Sequence, residues 1–117
     1  STLRQWWKAN RELTQNYYNN QLNQYGTAPS ELLPELAEII MKQHLHSQAM
    51  LAIFPIQEYF ATDYEIVKPY ADDERINNPA VFPHYWRYRM HIALEDLLQK
   101  EHFNDKIAQF VSESNRQ

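Results

Sequence analysis

Three groupings in this chain have residue types that could perform chemistry. Asp72, Asp73 and Glu74 are consecutive, and Glu95 adjoins Asp96. Carboxylates that converge in space can serve as nucleophile, general acid or general base. Neighbours in sequence do not converge that way. The first group lies in a polar, proline-bearing stretch and reads as solvated charge; the second opens a helical pattern, where the helix dipole favours anions. The histidine pairs His44/His46 and His84/His91 could bind a metal, but neither has a third ligand at metal-binding spacing. No metal and no cofactor is expected. Arg87 and Arg89 sit among Tyr85, Trp86 and Tyr88, a pattern that imitates a basic-aromatic patch for single-stranded nucleic acid.

The totals argue against that last reading. The formal charge is -4 and the pI about 5.7, so the molecule as a whole repels polyanions. No nucleic-acid partner is expected. Cysteine is absent, which excludes disulfide and thiolate chemistry and allows a reducing, cytoplasmic compartment. Hydrophobic residues make up 44% and charged residues 22%, a globular balance. Aromatics reach 14% of 117 residues, more rings than one small core easily encloses, so some should face a ligand or partner. No apolar run approaches the roughly 20 residues of a membrane span, no leader opens the chain, and no membrane contact is expected. The chain begins at Ser1 and runs straight into a helical pattern, as an excised piece of a longer protein would.

The elements that must position these residues read mostly as helices. From Thr2 to about Asn23 the apolar positions Leu3, Trp6, Trp7, Leu13, Tyr17 and Leu22 recur at near-helical spacing, with a thin seam near Ala9-Asn10. Ser1 is a candidate N-cap and Gly26, the only glycine, a candidate left-handed C-cap. A second helix is predicted to start between Ser30 and Pro34, with Leu33, Leu36, Ile39, Ile40 and Gln43 on its stripe, and to end near His46. Met50-Leu51-Ala52-Ile53-Phe54, closed by Pro55, is apolar on every side and suits a strand buried on both faces. Such a strand needs neighbours, and no second convincing strand is present in the sequence. Ile56 to Phe60 fits one helical turn. Residues 61–83 read as a long loop, a length that is usually functional or disordered. Leu94, Leu97 and Leu98 then form a seam, and Asn104 is expected to cap a last helix carrying Ile107, Phe110 and Val111. The expected fold is mostly α: about four helices, one short strand and a long loop.

Three blocks, in order, carry a resemblance. Ser1-Thr2-Leu3-Arg4-Gln5-Trp6-Trp7 looks like the stretch that follows a His-Asp pair in amylomaltases. Ser47 to Glu58 resembles the same family's last barrel strand and its Pro-x-Gln-Asp/Glu exit, here Pro55-Ile56-Gln57-Glu58. Glu74-Arg75-Ile76-Asn77-Asn78-Pro79 with His84-Tyr85-Trp86-Arg87-Tyr88-Arg89 is similar to the Arg-Met-Asn-x-Pro-Gly and Asn-Trp-x-Trp-Arg blocks of bacterial members. The His-Tyr-Trp-Arg form, followed by Leu94-Glu95-Asp96-Leu97-Leu98, is closer to the plant-cytosolic and Bacteroidetes-like branch. Ala80 replaces the glycine after Asn-x-Pro, and His84-Tyr85 replaces Gly-Asn. The family is that of the 4-α-glucanotransferases, also called disproportionating enzymes.

The resemblance implies a C-terminal fragment of a (β/α)8 barrel, whose active site lies at the C-terminal ends of the strands. Its segments would be helices over 2–46, a strand near 50–54, an active-site loop over 57–91 and closing helices over 94–115. It implies a retaining transfer of α-1,4-glucan segments between oligosaccharides, with the nucleophile, the acid/base and the stabilising carboxylate all upstream of Ser1. This chain then carries no catalytic residue and is inactive by itself. The substrate-binding residues implied are Asn77 and Pro79 in the loop bordering the groove, Gln57 at the strand exit, and Trp86, whose ring could stack on a sugar. Trp86, Arg87 and Tyr88 could equally anchor the loop to the barrel, and Asn77-Asn78-Pro79 could be turn chemistry alone. The competing reading is an autonomous helical module that binds a protein partner. The segment Met50–Phe54 separates the two: a free module hides it under its own helices, whereas a barrel piece leaves it uncovered and prone to homo-oligomerise.

Overall fold

The computed structural model describes residues 2–67 and 89–116, and among these it contains six α-helices. They are α1 (Thr2–Ala9), α2 (Arg11–Asn20), α3 (Pro34–Leu45), α4 (Ile56–Phe60), α5 (Leu94–Leu98) and α6 (Glu101–Glu113). The count exceeds the expected four. The first helical pattern breaks at its thin seam, and α4 and α5 are separate five-residue turns.

At that seam Asn10 leaves helical geometry (φ -116°, ψ 63°), and its side-chain amide donates to the Trp6 carbonyl at 2.9 Å. The elbow is tied to the following loop. The Trp7 indole N–H donates to the Pro29 carbonyl at 2.9 Å, and the Arg11 guanidinium donates to the carbonyls of Ala28 and Pro29, both at 2.8 Å. The Thr14 hydroxyl, fully buried, donates to the Trp7 carbonyl at 2.9 Å. Helix α2 stops at Asn20, short of the expected Asn23. The backbone N–H groups of Gln21 and Leu22 both bond to the Tyr17 carbonyl, and Asn23 turns into the left-handed region at φ 56°. Gly26 is left-handed as well (φ 89°), yet it lies in the loop and caps no helix.

Helix α3 begins at Pro34, where a missing N–H is harmless because the first turn lacks intrahelical partners. Its buried face is Leu36, Ala37, Ile40, Met41 and Leu45. Gln43, expected on the stripe, is exposed and donates to the Gln21 carbonyl. The main core gathers Trp7, Leu22, Ala28, Leu32, Leu36, Ala37, Ile40 and Ala61. A second cluster joins α3 to α6 through Met41, Leu45 and Phe110, and a third joins α4 to α6 through Phe60, Ile66 and Phe103. Lys100, not Asn104, precedes the first turn of α6; Asn104 lies inside the helix, and its amide donates to the Leu97 carbonyl at 3.0 Å.

The expected strand is the main correction. Residues 51–55 are neither strand nor helix, and no strand occurs among the described residues. A strand exists only through a ladder with a neighbour, and this segment has none in the described structure. Its apolar side chains are consequently uncovered: Met50, Leu51 and Ile53 are 91%, 72% and 84% exposed. The start of the segment is nonetheless held. The Arg116 guanidinium, just beyond α6, donates to the carbonyls of Leu45, Ser47 (2.9 Å) and Ala49 (2.7 Å), gripping the turn that leads into it. The Leu94–Leu98 seam is open on one side too; Leu97 packs on the Phe60 cluster, whereas Leu94 and Leu98 are exposed.

Candidate functional site

The uncovered segment ends at Pro55, whose extended backbone (φ -60°, ψ 151°) turns the chain into α4. Gln57 stands in the first turn of that helix and is buried. Behind the segment, Phe54 packs edge-on against the rings of His44 (6.0 Å) and Tyr59 (5.7 Å). Between these residues and α1–α3 lies an apolar cavity of about 300 Å³, lined among others by Leu3, Tyr17, Ile40, His44, Ile53 and Glu58. Burial raises the pKa of Tyr17, so its phenol stays protonated beyond its ordinary range.

A second cavity, of about 320 Å³, is polar and sits where α3, α6 and residues 62–65 meet. Lys106 organises it. Its ammonium donates to the Thr62 carbonyl at 2.6 Å and pairs with Glu38 (3.2 Å) and Asp63 (3.8 Å). Asp63 also accepts from the Glu65 backbone N–H at 2.8 Å, which fixes the turn. The Tyr64 hydroxyl donates to Glu35 at 2.5 Å, and that hydrogen bond, followed by burial, raises the Tyr64 pKa. Both Glu38 and Asp63 are committed to one ammonium, which suits a structural junction more than proton transfer. This junction carries no local motif: Lys106 and Thr62 are 44 residues apart, so spacing within one segment could not have pointed to it.

Of the four expected site residues, only Gln57 falls within the described structure. Asn77, Pro79 and Trp86 lie outside the described residues, as do Asp72, Asp73, Glu74, His84, Tyr85, Arg87 and Tyr88. His91 is a packing residue. Its Nε2 hydrogen-bonds with the Ile66 carbonyl, and its ring meets Phe60 edge-on at 5.6 Å. The His44 Nδ1 is taken up by the Ile40 carbonyl at 2.8 Å. Among the described residues no group of three His, Asp or Glu side chains is placed to hold a metal ion. Glu95 and Asp96 are exposed in the first turn of α5, the position that helix-end charge favours.

The described geometry thus contains an uncovered apolar segment and a turn carrying a buried glutamine. A family model for 4-alpha-glucanotransferase matches residues 1–95. The chain belongs to the 4-alpha-glucanotransferase family. All three resemblance blocks fall inside that match. The chain is also 35% identical over 116 residues to the 4-alpha-glucanotransferase DPE2 of Oryza sativa subsp. japonica, an alignment covering 99% of this chain and 12% of that relative. It therefore spans about an eighth of the length of the curated relative it matches. No solved structure matches the chain. Helix α6 lies beyond the residues matched by the 4-alpha-glucanotransferase family model, although the alignment with the rice glucanotransferase takes in nearly the whole chain. No helix among the described residues is long and apolar enough to cross a membrane.

Proposed function

We propose that these 117 residues are the C-terminal part of the catalytic barrel of a 4-α-glucanotransferase, which moves α-1,4-glucan segments between oligosaccharides with retention. The observation that carries this reading is the family match over residues 1–95, joined to the exposure of Met50, Leu51 and Ile53. A segment so apolar is stable in water only when something covers it. In this reading the cover is the remainder of the barrel, and the extended segment is its eighth strand. An autonomous interaction module would bury the segment beneath its own helices, so that alternative gains no support.

The reaction is a double displacement. One carboxylate attacks the anomeric carbon while a second carboxyl group protonates the departing sugar oxygen, leaving a covalent glucosyl intermediate. The hydroxyl of an acceptor sugar then attacks, giving its proton back to that second group. Both carboxylates belong to the part of the enzyme outside this chain. The chain's own share is the groove wall. Asn77, Pro79 and Trp86 supply contacts to the glucan from the loop, and Gln57, at the start of α4, belongs to the same groove mouth. Excluding water from the groove favours transfer to a sugar over hydrolysis.

Incubation with maltotriose tests the proposal. The full-length gene product should release glucose and longer maltooligosaccharides, and the 117-residue chain should do neither. Turnover by the chain alone would mean that the active site has been assigned to the wrong part of the protein.

The same exposed segment bears on assembly. Without the rest of the barrel, the isolated chain is expected to self-associate through residues 50–54, because an uncovered apolar segment recruits a second copy. Sedimentation velocity reads this directly, with a strict monomer at high concentration counting against it. Ile53→Lys should push the population toward monomer.

A further inference from the structure

The proposed glucan contacts Asn77, Pro79 and Trp86 lie between Val67 and Arg89 in the chain, and the two feet of that stretch meet. The departing foot is fixed from several sides. The Lys106 ammonium holds the Thr62 carbonyl at 2.6 Å, the Asp63 carbonyl accepts from the Val67 N–H at 3.0 Å, and the Ile66 side chain is fully buried. On the returning foot, Met90 and Ile92 pack against the cluster that Ile66 forms with Phe60 and Phe103. His91 stands between them and ties one foot to the other. Its ring meets Phe60 edge-on at 5.6 Å, and its Nε2 hydrogen-bonds with the Ile66 carbonyl, 25 residues back along the chain. A carbonyl oxygen only accepts, so the Nε2 atom carries the proton.

Apolar packing keeps the feet close but has no direction. The hydrogen bond adds one, because donor and acceptor must align. Fixing both ends of a chain segment reduces the conformations open to what lies between them. Groups confined before a ligand arrives lose less freedom when it binds. In the proposed reading the reacting carboxylates belong to the rest of the enzyme, so this confinement acts on glucan binding and not on bond cleavage. We propose that His91 is a positioning residue: its Nε2–H clasps the Ile66 carbonyl and sets the base from which the glucan-contacting stretch is mounted. The effect on glucan binding rests on the proposed function; the clasp itself does not.

Two measurements on the full-length protein test the clasp: maltotriose disproportionation, and hydrogen–deuterium exchange of backbone amides read by mass spectrometry. His91→Phe keeps a ring against Phe60 and loses the donor, whereas His91→Gln offers an amide N–H at a similar reach. His91→Phe should raise KM about fivefold, the effect of one net hydrogen bond, with kcat within about twofold of wild type. Amides of residues 64–67 and 90–93 should exchange faster in that variant, and those of α2 should not. His91→Gln should restore both KM and exchange. His91→Leu, smaller and equally without a donor, should behave as His91→Phe. Wild-type KM in the donor-less variants, or the same defect in His91→Gln, overturns the inference. So does a loss confined to kcat. Faster exchange with KM unchanged reduces His91 to a structural contact and overturns its positioning role. The two proposals fail separately. A wild-type protein that cannot disproportionate maltotriose sinks the enzymatic reading, and exchange still decides the clasp. Disproportionation that is indifferent to the His91 donor sinks the positioning role alone.

Discussion

Trp7→Ala should destabilise the helical unit by about 3–5 kcal/mol, the range for removing a large buried aromatic. Trp7 is fully buried and lies in the main core with Leu22, Ala28, Leu32 and Leu36, while Tyr18 meets its indole edge-on at 6.4 Å. Its role goes beyond filling space. The indole N–H holds the Pro29 carbonyl, and the Trp7 carbonyl receives the buried Thr14 hydroxyl, so the residue locks α1, α2 and the loop onto one another. Trp7→Phe keeps most of the apolar contact and loses one hydrogen bond. Arg11 still donates to the same Pro29 carbonyl, so the cost should be only about 1–2 kcal/mol. Chemical denaturation followed by circular dichroism separates the two variants. An alanine variant within about 1 kcal/mol of wild type would show that the elbow does not depend on this ring.

Lys106→Met should cost about 2–3 kcal/mol, below the full penalty for breaking a buried ion pair because the ammonium retains some solvent contact. The substitution leaves Glu38 and Asp63 facing each other without a cation, and the Thr62 carbonyl without its donor. Asp63 is the more costly partner, being nearly buried at 8% exposure. Adding Asp63→Asn to Lys106→Met should recover about half of the loss, because one stranded charge is then removed. The Lys8–Glu31 pair is the internal control. Both side chains are mostly in solvent at 3.5 Å separation, so Lys8→Met should change stability by less than about 0.5 kcal/mol. If the two lysine variants behave alike, the junction around Lys106 is no more than a surface contact.

The structure contains elements that the sequence shows only in part. Helix α3 is legible throughout because its start is set by Pro34 and its register by local apolar spacing. The break at Asn10 is visible as a thinning of the same spacing. Caps were less legible. Gly26 adopts the left-handed backbone that its lack of a side chain allows, but the helix before it ends earlier because Asn23 takes that conformation first. Asn104 has the chemistry of a cap and lies inside α6, where its amide serves the preceding turn instead. In the candidate site, the burial of Gln57 has no signature in the residues beside it, whereas its place at the turn after Pro55 does.

Helix periodicity, turn residues and the three family blocks are properties of short stretches, and the chain's order of atoms alone specifies them. The state of Met50–Phe54 is a different kind of property. Its apolar run predicts a strand, yet β-structure is a relation between two segments, and no described residue offers the second ladder. The junction at Lys106 and the Arg116 grip on the turn before Met50 likewise join groups far apart along the chain. Such contacts arise only when packing brings distant segments together, which is why tertiary structure decided them.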